Sequence, residues 1–252
     1  MIMTVQSALY SRRRVLQLTA ATGLATSALV RTTSVMAQTA SAPLKIATIG
    51  AGNLGAAVGT LWVKAGHEVL FSSRNPDNLK GLVDGLGAKA RAGTVDEAIA
   101  FGDAILLAVP YEAYPQVGAD YAEKLKGKVV LDAGNANRSS LFAETQENGV
   151  GVTTAKYFPG VRIVRAFNAA NHRLFTSNAN RPAPRMAVPI AGDDAEALEI
   201  AKTLVSSAGF DPLVVGSLKD ADKFAMGTEG FGHVLPAVEL AAKLGVLAPA
   251  NL

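Results

Sequence analysis

Short apolar runs alternate with segments of helical periodicity along most of the chain. The apolar runs predict strands at 44–49, 68–71, 104–109, 128–132, 162–167, 185–190 and 212–215, and a similar strand candidate lies at 89–91. Between them, apolar positions three or four residues apart predict helices at 53–65, 77–86, 95–101, 113–125, 139–147 and 194–208. Strands that alternate with helices are typical of a parallel sheet with covered faces. We therefore predict an α/β fold at 44–217, a Rossmann-type, doubly wound, mostly parallel sheet of about eight strands.

Two stretches lack this alternation. The connection from Asn168 to Arg185 leaves the edge of the sheet at which ligands of such folds bind, and its length predicts a surface loop that could close over a ligand as a lid. Residues 218–252 follow the last predicted strand. We expect them to form a short helical C-terminal tail, broken near the glycines at 227, 230 and 232.

The N-terminal segment, residues 1–37, has the composition of an export signal. Arg12, Arg13 and Arg14 precede a moderately apolar run at 15–30 and a small-residue site that ends at Ala37. The cluster resembles the twin-arginine export signal. We therefore expect a twin-arginine-type signal peptide at 1–37, a linker at 38–43 and a periplasmic or secreted mature protein, with the twin-arginine export machinery as a partner. An uncleaved anchor is the alternative, but a membrane span needs roughly 20 strongly apolar residues, so no stable span is expected.

Charge and composition exclude several classes of function. The formal net charge is +3, but residues 1–37 contain four arginines and no acidic residue, so the charge gives no reason to expect a nucleic-acid partner. The chain has no cysteine, which excludes disulfides, thiolate metal sites and a thiol nucleophile. His67, His172 and His233 lack the spacing of a three-ligand motif, and no metal site is predicted.

A glycine-rich turn joins the first predicted strand to the first predicted helix. Its sequence is Gly50-Ala51-Gly52-Asn53-Leu54-Gly55, the G-x-G-x-x-G pattern of dinucleotide-binding domains. In this pattern the first glycine makes the tight turn, the second lets a pyrophosphate approach the backbone, and the third lets helix and strand pack closely. The helix N-terminus then offers free amides to the phosphates. We predict that residues 50–55 bind the pyrophosphate of a nicotinamide dinucleotide.

The end of the second strand indicates which dinucleotide is bound. An NAD site usually has an acidic residue about 20 positions after the glycines, where it holds the ribose 2′-hydroxyl. This chain has Ser72, Ser73 and Arg74 there instead. Hydroxyl groups and a guanidinium suit a 2′-phosphate, and no carboxylate would repel it. We therefore expect NADP(H) as the cofactor; the alternatives are an NAD-preferring enzyme and an Arg74 that is an ordinary surface charge.

Two further turns are expected at the point where strand order reverses, beside the bound nicotinamide. Val109, Pro110 and Tyr111 follow the fourth strand, and Pro110, which has no amide proton, leaves carbonyls and an apolar wall to face the ring. A strand-ending proline without a role is the alternative. Gly134 and Asn135 follow the fifth strand, and Asn135 can donate and accept hydrogen bonds without charge. We expect these residues to contact the cofactor.

Together these motifs resemble one family of oxidoreductases, the NADP oxidoreductases that depend on coenzyme F420, a deazaflavin. The intracellular domains of eukaryotic ferric reductases share the pattern. The motifs that carry the resemblance, which spans roughly 44–217, are Gly50 to Gly55, Ser73-Arg74, Val109-Pro110, Asp132 to Asn135 and Ala166-Phe167-Asn168. The resemblance implies that Ser73 and Arg74 hold the 2′-phosphate.

The chain departs from that family at two positions. Ala51 stands where the family often has Thr, and residues 75–78 lack a Lys that often follows the Ser-Arg pair. The first motifs are also similar to the N-terminal domain of pyrroline-5-carboxylate reductases and to 6-phosphogluconate-type dehydrogenases. In both of those families a large helical domain follows the cofactor domain. Only residues 218–252 follow the last strand here, so the F420-linked family is the better match.

Hydride transfer between a nicotinamide and a flavin-like ring needs geometry and exclusion of water more than an acid or base. Asn168 and His172 are the candidate catalytic residues, and His172 could donate a proton to a carbonyl or flavin nitrogen; a loop histidine without a chemical role is the alternative. We expect an NADP(H)-dependent oxidoreductase that passes hydride between NADPH and a flavin-like, ferric, quinone or small carbonyl acceptor. A flavin or deazaflavin is a candidate co-substrate, and a homodimer is a candidate assembly. The alternative function is a non-catalytic NADP(H)-binding sensor or scaffold.

The export signal gives the first testable prediction. Mass spectrometry of the exported protein should find a mature chain that begins at Gln38, because cleavage after Ala37 follows the small-residue site. Replacing Arg12 and Arg13 with Lys should retain the precursor in the cytoplasm. A mature N-terminus well before Gln38 would contradict the cleavage site, and normal export of the variant would indicate the general secretory route.

Overall fold

A computed structural model describes residues 43–249 of the chain, and the predicted signal peptide lies outside the described residues. Eight strands form one open sheet: β1 Lys45–Ile49, β2 Glu68–Ser72, β3 Ala90–Gly93, β4 Ala104–Leu107, β5 Val129–Asp132, β6 Arg162–Arg165, β7 Ala187–Gly192 and β8 Asp211–Gly216. Their order is β3-β2-β1-β4-β5-β6-β7-β8. All neighbours are parallel except β6 and β7. The predicted α/β Rossmann-type fold is confirmed, and strand order reverses between β1 and β4.

Nine α-helices lie among the described residues: α1 Asn53–Lys64, α2 Lys80–Leu86, α3 Val95–Phe101, α4 Tyr114–Leu125, α5 Phe142–Asn148, α6 Val150–Tyr157, α7 His172–Asn178, α8 Ala195–Ser207 and α9 Ala237–Leu244. Short 3₁₀ helices occupy Pro76–Leu79, Tyr111–Ala113 and Leu218–Phe224. The tail prediction is confirmed in outline, because irregular backbone at 225–236, which contains the three glycines, separates a 3₁₀ helix from α9. In residues 43–249 we find no helix with the length and apolar character of a membrane span.

The helices bury their apolar sides on both faces of the sheet. On one face, α1, α2, α7 and α8 enclose a cluster in which the ring of Phe167 meets Trp62, Phe175 and Phe210 edge to face, at centroid distances of 5.7, 5.5 and 6.4 Å. Trp62 also donates from Nε1 to the Leu204 carbonyl at 2.8 Å, which ties α1 to α8. On the other face, α3, α4, α6, the last 3₁₀ helix and α9 cover the sheet. Two covered faces explain why the inner strands read as continuous apolar runs, whereas β3 at the edge of the sheet does not.

Two helices were not predicted, and one of them corrects the lid hypothesis. The connection after β6 contains α7, which Asn171 caps by accepting from the Arg173 amide at 3.0 Å. Its Phe175 is 1% exposed and packs into the aromatic cluster, so this segment is anchored against the core and is not a free lid. The helix α6 buries Thr153 and Thr154, whose polar side chains hid the helical period. In both cases tertiary packing outweighs weak local signals.

A buried ion pair joins the ends of β5 and β6. Asp132 and Arg165 are register partners, both are 0% exposed, and Arg165 Nη1 lies 2.5 Å from Asp132 Oδ2. The Tyr114 hydroxyl donates to Asp132 Oδ1 at 2.6 Å, and the Gly134 amide donates to the same oxygen at 2.9 Å. Burial, together with the Asp132 carboxylate, raises the pKa of Tyr114 well above its usual value, so the phenol stays a neutral donor.

The buried ion pair predicts that replacing Arg165 lowers the free energy of unfolding much more than replacing Arg162 on the same strand. Arg165→Ala should lower the free energy of unfolding by about 3–5 kcal/mol, because it leaves the Asp132 carboxylate buried without its partner. Arg162→Ala is the matched control, since Arg162 also lies on β6 but pairs with Asp194 at the surface, and its loss should be much smaller. Urea unfolding followed by circular dichroism measures both. Equal losses would show that the buried pair has no special role.

Candidate cofactor and acceptor site

The three motif glycines meet three different steric demands at the end of β1. Gly50 has a φ of +95°, and a Cβ there would lie 2.7 Å from the Ala108 carbonyl oxygen. A Cβ on Gly55 would lie 2.0 Å from the carbonyl oxygen of Gly50, so only glycine lets α1 pack this close. A Cβ on Gly52 would meet nothing within 4 Å. The open space above Gly52 is where a phosphate group can approach the backbone.

The N-terminus of α1 faces that open space. Gly52 occupies the N-cap position and provides no side-chain cap, so the first amides of α1 are left for a ligand. The Ala51 amide donates to the Ser72 carbonyl at 3.0 Å and fixes the turn against β2. Asn53 is exposed, whereas Leu54 packs against the core. Backbone amides at the positive end of a helix dipole form a site for an anionic phosphate.

The end of β2 presents two of its three predicted side chains to solvent. Ser73 is half-buried and its hydroxyl accepts from the Asn75 amide at 3.1 Å. Arg74 is exposed, and within residues 43–249 its guanidinium has no hydrogen-bond or ion-pair partner. Ser72 is different: it is fully buried and donates to the Thr48 carbonyl at 2.6 Å. The expectation that the Ser72 hydroxyl holds a phosphate is therefore corrected, because β2 extends through this residue and uses it to bind β1.

The turn after β4 also divides into exposed and buried parts. Val109 is half-buried against the Gly50 turn, and Pro110 is exposed. The Tyr111 ring is buried and stacked on Tyr114 at a centroid distance of 4.3 Å. Its hydroxyl lies 3.0 Å from the Thr154 hydroxyl, and burial raises its pKa. The prediction that Tyr111 contacts the cofactor is thus corrected for its side chain, which is committed to the core.

The turn after β5 is held by the ion pair. Arg165 Nη2 donates to the Gly134 carbonyl at 2.6 Å, so both backbone groups of Gly134 are bonded to the pair. A Cβ on Gly134 would lie 2.2 Å from the Tyr114 hydroxyl, which excludes any larger residue at this position. The turn that carries Asn135 is therefore rigid.

Three asparagines fasten the tail to this sheet edge. The Asn135 side chain donates to the Asn168 carbonyl at 2.8 Å and accepts from the Met226 amide at 3.1 Å. Asn137 donates to the Met226 carbonyl, and Asn168 donates to the Phe224 carbonyl at 3.4 Å. We refer to Asn135, Asn137 and Asn168 as the asparagine clamp. The sequence did not predict these bonds to the tail, because the backbone of 224–226 is far from the three asparagines along the chain.

The two candidate catalytic residues lie in different surroundings. Asn168 is 1% exposed, follows Phe167 with its positive φ of 61°, and leaves its Oδ1 without a partner among residues 43–249. His172 is half-buried at the start of α7, in a groove of about 350 Å³ that also includes Thr60 and Lys64 of α1. The structure does not bring His172 to the turns after β4 and β5. Its role as a proton donor stays a prediction without support from this geometry.

A cavity of about 190 Å³ opens beside the asparagine clamp, and we call it the clamp cavity. Its lining residues are Asn135, Ala136, Asn137, Phe142, Thr145, Gln146, Val150, Asp222, Ala225, Met226 and Thr228. They come from the turn after β5, from α5 and α6, and from the tail. The described part of the chain contains no cluster of three or more metal-ligating side chains.

Comparison with known proteins finds a family model that matches part of the chain. Residues 45–136 match the family model described as NADP oxidoreductase, coenzyme F420-dependent. The chain is also 30% identical over 180 residues, or 70% of its length, to metalloreductase STEAP3 of Rattus norvegicus. That match covers 35% of the rat protein, so the chain spans about a third of the length of this relative.

Solved structures of similar fold support the Rossmann-type architecture. A hypothetical protein of Sinorhizobium meliloti superimposes with a TM-score of 0.68 at 23% identity, over 77% of this chain and 95% of that one. A protein of Arthrobacter sp. FB24, described as an F420-dependent NADP-reductase, gives 0.62 at 22% identity, over 81% and 96%. An imine reductase of Myxococcus stipitatus, solved with NADP⁺, gives 0.52 at 21% identity, over 70% and 56%.

The family match begins at β1, includes the glycine turn and the Ser73-Arg74 pair, and ends in the turn after β5. These are the elements that form the open phosphate site and the exposed guanidinium. Over these elements, residues 45–136, the chain is similar to the NADP oxidoreductase family, coenzyme F420-dependent.

Proposed function

We propose that this protein oxidises NADPH by passing hydride to an acceptor held at the C-terminal edge of its sheet. The observation that carries the proposal is that the free amides at the N-terminus of α1 adjoin the end of β2, where the Arg74 guanidinium has no partner within residues 43–249. The first site suits a pyrophosphate, and the second suits the 2′-phosphate that distinguishes NADP from NAD. In this arrangement Ser73 adds a neutral hydroxyl beside Arg74.

The residues of this chain bind and orient, whereas the bound dinucleotide supplies the hydride. The glycine turn between β1 and α1 anchors the dinucleotide near the reversal of strand order, where ligands of open α/β sheets bind. Val109 and Pro110 then provide an apolar wall, in which Pro110 has no amide proton to donate. The rigid turn of Gly134 and Asn135 stands next along the same edge. Such positioning, with water excluded, is the main requirement of hydride transfer.

The acceptor side is formed by the clamp cavity, which begins at Asn135. A flavin-like ring, a ferric complex, a quinone or a small carbonyl compound are the candidate acceptors, and the similarity to a metalloreductase supports the ferric candidate. The lining contains no histidine, lysine or tyrosine, and Asp222 is its one ionisable side chain, so the cavity offers few candidates for a general acid. That observation favours the second candidate function, a non-catalytic NADP(H)-binding sensor.

Turnover separates these two functions. The purified mature chain should lower the absorbance of NADPH at its reduced-nicotinamide band when it is offered flavins, ferric chelates, quinones and small carbonyls in turn. NADPH binding without oxidation under every acceptor would favour the sensor.

A substitution at Gly52 supplies the matched control for the assay. Gly52→Asp should abolish NADPH binding, because the new carboxylate would stand in the open space that the pyrophosphate needs. The fold should persist, since a Cβ there meets nothing within 4 Å and Asp is a favoured N-cap residue. Gly52→Ala adds the Cβ without the charge and should weaken binding much less. Fluorescence titration with NADPH and a thermal melt measure both effects; full binding by Gly52→Asp would place the dinucleotide elsewhere.

The 2′-phosphate assignment predicts a selective loss. Arg74→Ala should raise the Kd of NADPH by about tenfold or more, since a charge-assisted hydrogen bond contributes roughly 1.5–3 kcal/mol. NADH affinity should stay unchanged, because NADH lacks the phosphate. Arg91→Ala removes the same charge from an arginine that pairs with Glu68 at the start of β2, and it should change neither affinity. Calorimetric titration with both nucleotides tests this; equal weakening for NADH and NADPH would remove Arg74 from the 2′-phosphate site.

A further inference from the structure

We propose that the clamp cavity takes a small, uncharged quinone of one or two rings as the hydride acceptor. The inference rests on the proposed function, because the cavity serves as an acceptor site only if NADPH binds beside it. Three properties of the cavity carry it: its size, its charge and the hydrogen-bonding groups on its wall.

The size limits the acceptor to a compact molecule. Pockets for drug-sized ligands measure about 300–1,000 Å³, whereas the clamp cavity measures about 190 Å³. A complete flavin or deazaflavin coenzyme, with its ribityl chain and phosphate, would exceed this space. A single or fused pair of rings is the largest group that it would enclose.

The charge of the lining disfavours an anion. No lysine, arginine or histidine lines the cavity, and its one ionisable side chain is Asp222. Asp222 accepts from the Val150 amide at 2.9 Å through Oδ1, which holds its carboxylate at the cavity wall. An anionic acceptor, such as a ferric ion in a polycarboxylate chelate, would lose water without gaining a positive partner there.

The hydrogen-bonding groups match carbonyl oxygens. The hydroxyls of Thr145 and Thr228 already donate to the carbonyls of Phe142 and Ala225, both at 2.8 Å. The Gln146 amide has no hydrogen-bond partner in the described part of the chain, and Asn137 uses its amide nitrogen towards Met226 alone. Amide N–H groups are donors, and quinone oxygens only accept.

The rim of the cavity suits a flat ring. Phe142 and Met226 are 40% and 37% exposed, and they are two of the four large apolar side chains that the described residues leave this exposed. Both line the cavity. An aromatic face and a polarizable thioether are favourable contacts for a planar ring.

The reaction balances without a further reactant. The quinone gains one hydride, with its two electrons, from NADPH and one proton from water, and it leaves as the hydroquinone while NADPH becomes NADP⁺. No residue of the cavity has to change its redox state, and the chain has no cysteine that a quinone would alkylate.

The test compares the affinities of two quinones that differ by one negatively charged sulfonate group. Calorimetry of the mature protein loaded with NADP⁺, in which no turnover occurs, is carried out with 1,4-naphthoquinone and with its 2-sulfonate. The neutral quinone should bind at least about tenfold more tightly, because the sulfonate meets Asp222 and no cation. Equal affinities, or no binding of either ligand, would overturn the inference.

Two lysine variants on α5 show whether the preference for the neutral quinone over the sulfonate arises in the clamp cavity. Gln146→Lys places a positive charge on the cavity wall and should raise sulfonate affinity by about tenfold. Asn148→Lys adds the same charge on the same helix, at an exposed residue outside the lining, and should leave the affinity ratio unchanged. Equal shifts in both variants would show a long-range charge effect and would place the quinone elsewhere.

A third variant and an activity assay complete the design. Met226→Trp fills the rim, and it should abolish quinone binding while NADP⁺ affinity stays the same. Quinone binding without NADPH oxidation would refute the proposed function and leave the cavity assignment standing. NADPH oxidation by another acceptor, with no quinone binding, would refute the cavity assignment alone.

Discussion

The ion pair between Asp132 and Arg165 is the interaction on which the ligand-binding edge depends. Two charges with no exposure to solvent are tolerated only where their hydrogen-bonding groups are largely satisfied. Here Tyr114 and both backbone groups of Gly134 supply that satisfaction. The pair therefore does more than join β5 to β6. It fixes the turn from which Asn135 reaches both the segment after β6 and the tail.

Hydrogen bonds from asparagine side chains to the backbone connect that turn and its neighbours to the tail, which forms one wall of the clamp cavity. The asparagine clamp bonds the backbone of Phe224, the last residue of the 3₁₀ helix, and of Met226 in the irregular segment before α9. These bonds add to the burial of Leu218, Ala221 and Phe224 and to the Val150–Asp222 bond, which also hold the tail against the core. The dinucleotide end is built differently, because it relies on glycines that remove side chains. The glycine turn thus leaves open space for a ligand, whereas the clamp cavity is held in shape by polar contacts.

The sequence predicted what local rules determine. Apolar period and glycine placement located all eight strands and the turn at Gly50 to Gly55, since both depend on nearby residues. The failures came from contacts between distant residues. Ser72 was expected to face the phosphate, but the ladder with β1 turns it inward towards Thr48. Tyr111 was expected at the cofactor, but the contacts of its hydroxyl with Val150 and Thr154 of α6 hold it in the core. The helix α7 forms around one buried residue, Phe175, which no periodicity could reveal.

The segment that matches the family model ends at nearly the residue where the lining of the clamp cavity begins. The match ends at residue 136, whereas the cavity lining runs from Asn135 to Thr228. The family match therefore bears on the glycine turn and the end of β2, and it carries little information about the clamp cavity, where we propose that the acceptor binds. Because the tail is bound through its backbone, side chains such as Met226 and Thr228 can vary without loss of the clamp. A fold with one cofactor site can in this way serve acceptors of different charge and size, and the identity of the acceptor has to be argued from the cavity itself.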